Sequence, residues 1–455
     1  MSERRLYLAL FLGALCACAL VTKSSAVSWN DRSRFATIES LVDRGTFAID
    51  RSPFADTKDE YRYRGRLYSD KSPLLQLEGA AAAEAVRVFG ISLGRAQGAA
   101  IYLTTLLTIG PWFALGIVYA YAFQRDLGFD RRIALAVALA TGFATLGFPY
   151  AAVFSNPVPT GVASLAAIFH LRRASDRRVD AVLGGLFLAV AFAFDAGSVT
   201  VFLAALFVLL PVRPLSTIAL AIAAIVPLVG LQLAYNRNVS TGFGPPALNQ
   251  ATWSDPHSPF YLAHPTVLRL AGPAAYAGYG VALLVGNQGL FSYSPLMLAS
   301  LAGFVAMWRS DVPEKRVLAF AIAVSSIVYA ALVWLQTQDF ASSTYGDRRW
   351  VAISYLLCVP LGEVFLAART SRIGRIALAA LVAVSAAIAV LGTVAPFAPP
   401  PGIVYAWDAL LNRTPLLRAL DGAGAALLIL VLLTTSWKAT APTPDTWRLA
   451  ARISR

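Results

Sequence analysis

Apolar stretches of about 17–25 residues recur from one end of this chain to the other, the length an α-helix needs to cross about 30 Å of hydrocarbon. In lipid every backbone polar group must be satisfied within the protein, so such stretches can only be helices. Composition agrees: a soluble domain is about one quarter charged, whereas this chain is 14% charged and 57% hydrophobic, with a mean hydropathy of +0.62. The expected fold class is therefore all-α, a polytopic transmembrane helical bundle of about twelve spans. Residues 1–455 read as a single integral membrane domain.

We place the spans at 6–22, 97–122, 132–153, 157–171, 181–196, 197–212, 214–234, 289–308, 316–335, 350–367, 375–395 and 421–437. The net charge of +13 would suggest nucleic acid in a soluble protein, but its placement argues otherwise. Arginine concentrates in alternate short connections: 125–132, 172–178, 213, 309–316 and 369–375. The positive-inside rule then puts both termini in the cytoplasm. The basic excess is topology, and no nucleic-acid partner is expected. An N-terminus with Arg4, Arg5, an apolar run and Ser24-Ser25-Ala26 could also be a cleavable signal, but an uncleaved first span keeps the alternation in phase. Cys16, Cys18 and Cys358 lie within apolar spans and read as small hydrophobes.

Polar chemistry collects in the connections assigned outside, above all 23–96, the first extracytoplasmic loop, with 235–288 and 336–349 behind it. The first loop opens with Asn30-Asp31-Arg32-Ser33-Arg34-Phe35, and Phe35, Ile38 and Val42 share one helical face. Asn30 or Asp31 suits the start of that helix and Gly45 its stop, giving a short amphipathic helix at the membrane surface with Glu39 and Asp43 on its wet face. Residues 73–90 are apolar but hold Glu78 and Glu84, and read as a second interfacial helix.

Between them stands Tyr68-Ser69-Asp70-Lys71-Ser72-Pro73-Leu74-Leu75. With the acidic residue opening a surface helix after a short first span, this Tyr-x-Asp-Lys-x-Pro-Leu-Leu element resembles the GT-C superfamily of polyprenyl-phosphate-sugar-dependent glycosyltransferases. Within it the likeness is to bacterial relatives of protein O-mannosyltransferases and lipid A aminoarabinose transferases. Gly289-Leu290-Phe291-Ser292-Tyr293-Ser294-Pro295 and Thr344-Tyr345-Gly346-Asp347-Arg348-Arg349-Trp350 are similar to later elements of the same family. Ser72 and Asp347 stand where that family commonly has proline.

The resemblance implies an inverting transferase that moves a sugar from a polyprenyl-phosphate carrier to a lipid, polysaccharide or protein acceptor of the cell envelope. Such a reaction needs one base for the acceptor's proton and cations for the departing phosphate. By position in the resemblance the base is Asp31; the bland alternative is that it only caps the helix. Lys71, Arg348 and Arg349 are the candidates for the donor phosphate, with Asp70, Tyr68 and Tyr345 in support. The chain has five lysines against 33 arginines, so a lysine inside a motif is a less routine choice; the bland alternative is an interfacial anchor.

Several other residues stay open. Asp195 near a span end faces either a polar cavity or the interface, and Tyr150 and Asn156 are placed to line a pocket. The acidic residues outside, including the adjacent pair Asp59-Glu60, leave room for a divalent cation without fixing a ligand set; no other cofactor is implied. His257 and His264 read as solvated loop residues, and the sequons at Asn238 and Asn412 carry no further signal. A transporter or flippase of lipid-linked sugars would put ionisable groups near the bilayer midplane, where they are scarce here. A non-catalytic assembly protein is the third reading. Abundant Ala and Arg with few Lys fits a bacterial cytoplasmic (inner) membrane, the active face being external.

Overall fold

The computed structural model describes residues 2–26, 28–95, 97–211, 215–246, 270–336 and 344–397. The expected last span at 421–437 lies outside them, as do His257, His264 and the Asn412 sequon. Among the described residues, helices α1 (Glu3–Val21), α4 (Gln97–Asp126), α10 (Leu215–Val239), α14 (Pro313–Leu335) and α17 (Arg372–Gly392) are each long and apolar enough to cross a membrane. Two bent pairs raise this to seven: Gly272–Tyr293 with Leu296–Trp308, at 94°, and Arg348–Leu357 with Leu361–Ala368, at 60°. The protein is thus a polytopic helical membrane protein.

Between α4 and α10 run α5 (Arg131–Phe143), α6 (Gly147–Ala151), α7 (Pro157–Arg172), α8 (Arg178–Phe194) and α9 (Val201–Leu209). They are shorter than a full span, and α7 is buried along nearly its whole length. A helix wrapped by protein on all sides need not match the hydrocarbon thickness. Helix α11 (Gly272–Val285) falls within residues 235–288, expected above to be an external loop: at 14 residues its apolar run is too short to stand out as a full span.

The two ends of the bundle differ in chemistry. At one end the arginine-rich connections meet acidic partners: Asp126 pairs with Arg172 and Arg173, Arg369 with Asp130, and Lys315 with Glu363 at 2.7 Å. Tyr121 Oη donates to Glu3 there, so the chain's first helix begins at this end. At the other end Lys23 N–H bonds the Ala152 carbonyl (2.8 Å), tying the end of α1 to the α6–α7 junction.

That second end carries the layer built by the first loop. Helix α2 (Trp29–Arg44) is capped by Ser28, not by Asn30 or Asp31: Ser28 Oγ accepts from Asp31 N, and Asp31 Oδ1 accepts from Ser28 N at 2.8 Å, a reciprocal capping box. Gly45, at φ +63°, takes the left-handed conformation that ends the helix. All residues from Asn30 to Ser40 except Arg32 are buried, so α2 is sandwiched rather than lying free on a surface. Phe35 packs between Phe54 and Phe154 (ring centroids 5.9 and 5.1 Å), and burying a side chain of this size contributes about 1.5–3 kcal/mol. Glu39, expected on the wet face, is buried too, and is matched by Arg44 through Oε1 at 2.8 Å.

An antiparallel hairpin, β1 (Glu60–Tyr63) and β2 (Arg66–Ser69), adds a small strand element to the expected all-α fold. Its two-residue turn holds Arg64 and Gly65 at positive φ, which suits the right-handed twist of the strands. Helix α3 (Pro73–Arg87) follows, starting with proline at its first turn where no N–H is needed. Gly79 of α3 permits close packing on α2: a Cβ there would meet Ile38 Cδ1 and Phe154 Cζ at 2.6 Å.

Candidate active site

Ser33, one turn into α2, locks the hairpin to the helix. Its hydroxyl donates to the Asp59 carbonyl (2.5 Å) and lies 2.6 Å from Ser69 Oγ, which also receives Gln76 Nε2 and the Lys71 N–H at 3.2 Å. These bonds bring residues 59 and 70–71 side by side over the helix. Lys71 Nζ then bridges the Asp59 and Asp70 carboxylates at 2.6 and 2.8 Å. Asn30 Nδ2 donates to Asp59 Oδ2 at 3.3 Å.

From there the polar network runs into the bundle. Arg34, one turn after Asn30 on the same face, donates from Nη1 to the Asn30 carbonyl (3.0 Å) and to Asn30 Oδ1. Its Nη2 reaches Asn156 Oδ1 at 2.6 Å, at the start of α7. Asn156 Nδ2 in turn donates to Asp195 Oδ2 (3.0 Å), and Asp195 Oδ1 accepts Gly197 N–H at 2.9 Å. Asp195 therefore joins a polar network.

Residues 344–350 close the cluster from the other side. Tyr150 Oη donates to the Tyr345 carbonyl (3.0 Å), which docks this segment onto α6. Asp347, fully buried, grips Arg349 with both oxygens: Nε reaches Oδ1 at 2.9 Å and Nη2 reaches Oδ2 at 2.5 Å. The aspartate that replaces the family's common proline is thus the counter-ion of its neighbour. Arg348 points elsewhere, its guanidinium 5.5 Å from the Phe397 ring centroid. Gly346 has φ +65° and a Cβ there would meet Tyr293 at 2.8 Å, so glycine is required.

The electrostatics follow from this packing. Burial pushes the Asp59 carboxyl up, but Lys71, then Arg348 and Arg34, outweigh it and hold Asp59 below the usual range. Asp70, buried and beside Asp59, is raised despite Lys71. Burial, and then the nearby charge of Arg348, lowers Arg34 to about 10.

Glu60 is a separate case. It is buried, Oε2 has no hydrogen-bond partner, and desolvation lifts its carboxyl to about 7. The folded protein thus holds a proton that the unfolded chain releases near 4.5. This contribution to stability is complete below about pH 4.5 and is lost as pH rises through about 7. We expect Glu60→Gln to flatten the fall of the thermal midpoint between these pH values and to leave the variant more stable than wild type at pH 8.

Of the residues singled out from sequence, Lys71 and Asp70 enter this cluster, and the charge of Arg348 is felt at Asp59 although its guanidinium lies on Phe397. Arg349 is beside it but matched by Asp347. Asp31 is buried with Oδ1 committed to the cap, also accepting Arg32 N–H at 2.9 Å. Tyr345 is a packing residue, its hydroxyl on the Ile388 carbonyl and its ring edge-on to Tyr293. Tyr68 lies on β2 against the Tyr61 ring at 5.8 Å. Sequence reasoning missed Arg34 and the roles of Asn30 and Asp59. The spacing of Asn30 and Arg34, one helical turn apart, was the available signal. Among the described residues no group of three or more His, Cys, Asp or Glu is placed to hold a metal ion.

No protein-family model matches the chain, and no curated protein matches it by sequence. Solved structures do. ArnT from Cupriavidus metallidurans in the apo state is 15% identical at a TM-score of 0.53, covering 96% of this chain and 76% of that one. The same protein bound to undecaprenyl phosphate gives 14% identity and a TM-score of 0.50, over 95% and 76%. AglB, an oligosaccharyltransferase from Archaeoglobus fulgidus, aligns at a TM-score of 0.46, too low to weigh in the assignment. At these identities the finding is one of fold: the chain shares the fold of ArnT, and the likeness to GT-C enzymes read from its motifs holds at that level.

Proposed function

We propose that this chain, sharing the fold of ArnT, is a membrane glycosyltransferase. It would take a sugar from a polyprenyl-phosphate carrier and pass it, with inversion at the anomeric carbon, to an envelope acceptor. The observation that supports this most is the juxtaposition, at one end of the bundle, of carboxylates with a cation that has no counter-ion. Among the described residues Arg348 forms no ion pair, whereas Lys71 and Arg349 are matched by aspartates. One ArnT structure is bound to undecaprenyl phosphate, in keeping with a donor of that kind.

In this reading the phosphate leaves as an anion onto Arg348, and Lys71 adds a contact through the third N–H of an ammonium whose other two face Asp59 and Asp70. The acceptor's proton goes to a carboxylate. We assign it to Asp59, in the middle of the cluster, ahead of Asp31, which the resemblance offers but which serves the cap. Arg349, through its pair with Asp347, fixes the segment that presents Arg348. The arginine-rich end of the bundle lies in the cytoplasm with both chain termini, and twelve crossings put the cluster on the external face of an inner membrane. Residues 1–455 act as one unit.

The test is transfer of labelled sugar from a panel of polyprenyl-phosphate donors by the purified chain in lipid. Wild type should transfer from one donor, and Arg348→Gln should raise the donor KM at least tenfold, as loss of a charge-assisted contact worth about 1.5–3 kcal/mol requires. Movement of the labelled lipid between leaflets without transfer would replace this reading with a flippase. Neither transfer nor movement, with full complementation of a knockout by Arg348→Gln, would leave a structural protein.

A further inference from the structure

The β1–β2 hairpin presents one face built only of tyrosine and arginine. Successive strand residues point to opposite faces, so Tyr61 and Tyr63 share a face, and the register sets Tyr68 opposite Tyr61 and Arg66 opposite Tyr63. The Tyr61 and Tyr68 rings stack at 5.8 Å, and the Arg64 guanidinium lies 5.1 Å from the Tyr63 ring centroid. The other face is already used: Glu60 is buried, and Ser69 Oγ lies 2.6 Å from Ser33 Oγ of α2. The tyrosine-arginine face thus begins buried, at Tyr61, and ends exposed, at Arg64 and Arg66.

Three observations set these two arginines apart from solvated surface. Among the described residues neither forms an ion pair, and the aspartates of the loop are engaged elsewhere: Asp56 pairs with Arg32 at 3.8 Å, Asp59 and Asp70 with Lys71 at 2.6 and 2.8 Å, and Asp50 accepts the Leu67 N–H at 2.9 Å. Arg64 holds a left-handed conformation, φ +48°, at a turn position where asparagine, aspartate or glycine is the ordinary choice. Both stand at the end of the bundle read above as external, where lysine and arginine are the scarcer residues.

We infer that this face is an acceptor subsite for an acidic polysaccharide. The inference rests on the transferase reading above and names the class of its acceptor. Sugar rings lie against the tyrosine faces, and the anionic groups of the chain are gripped by Arg64 and Arg66 through charge-assisted hydrogen bonds. Asp59 stands directly before β1 and Asp70 directly after β2, so the face leads from the exposed tip to the proposed base. Four residues at about 3.3 Å each make that path about 13 Å long, more than one sugar ring fills, which favours a chain over a single headgroup.

Binding to the full chain in phosphatidylcholine nanodiscs tests this with soluble probes: trigalacturonate, neutral maltotriose and a bisphosphorylated glucosamine disaccharide. Trigalacturonate should bind at least tenfold tighter than maltotriose and lose most of that advantage when NaCl rises from about 0.05 to about 0.5 M. Arg64→Gly with Arg66→Gln should weaken its binding at least tenfold. Arg64→Gly alone, which puts an ordinary residue in the turn, should weaken binding severalfold without lowering the thermal midpoint, a divergence that a merely structural arginine does not give. Equal binding of trigalacturonate and maltotriose, or unchanged affinity in the folded double variant, would overturn the subsite. Tighter binding of the bisphosphorylated disaccharide would replace the polysaccharide with a glycolipid headgroup. Transfer of labelled sugar by a wild type that binds no trigalacturonate would remove the subsite and leave the transferase. Arginine-dependent binding with no transfer from any donor would remove the transferase and, with it, the acceptor role of this face.

Discussion

Asp59→Asn should reduce sugar transfer by about 10²–10⁴-fold, the usual worth of a positioned base, without raising the donor KM. The asparagine keeps the size of the side chain and its contact with Asn30, but it cannot take a proton. Lys71 loses one of its two carboxylate partners and so becomes, if anything, a better partner for phosphate. Asp31→Asn is the control. Its amide oxygen can still accept from Ser28 and Arg32, so the cap survives at a cost of at most about 1 kcal/mol and transfer stays within severalfold of wild type. The opposite pattern, transfer lost in Asp31→Asn and kept in Asp59→Asn, would return the base to Asp31.

The largest loss of stability should come from Asp347→Ala. Arg349 is held by that carboxylate through three hydrogen bonds at 2.5–3.0 Å in a site where Asp347 has no exposure at all. Removing one partner of such a pair leaves an uncompensated charge, worth about 3–5 kcal/mol. Asp347→Pro, which installs the residue common in the family, should be no milder, because the Asp347 N–H also donates to the Gln288 carbonyl at 2.8 Å. Thermal unfolding of the two variants in detergent measures this. An unchanged midpoint in both would mean that Arg349 finds another partner and that the pair is dispensable.

Much of the architecture was legible in the sequence because hydrocarbon thickness imposes a long, unmistakable apolar period. Helix α4 was expected at 97–122 and runs from Gln97 to Asp126; α17 was expected at 375–395 and runs from Arg372 to Gly392. The shorter helices α7 to α9 blur that signal, since burial inside protein relaxes the length rule. The hairpin was missed because the ten residues Glu60 to Ser69 carry four charges and read as a solvated loop rather than as two short strands.

The candidate site divides along a similar line. Asp70, Lys71 and Arg348 were visible through motifs that repeat in a known family. Arg34 was invisible because an arginine two residues from another in a charged loop looks like solvated surface, and only the docking of α7 makes it buried. Asp31 stands where the resemblance puts the base, and its Oδ1 also serves the helix cap, a contact that the position in the sequence alone did not specify.

The cluster joins residues far apart along the chain. Arg34 and Asn156 are 122 positions apart, and Tyr150 and Tyr345 are 195 apart. Local helices form early, while contacts of such long separation come late. During synthesis, the early-made half carries Lys71, Asp59 and Asp70 without Arg348. On the donor reading proposed above, the site would be complete only once the later helices have arrived, and transfer would wait for the finished chain.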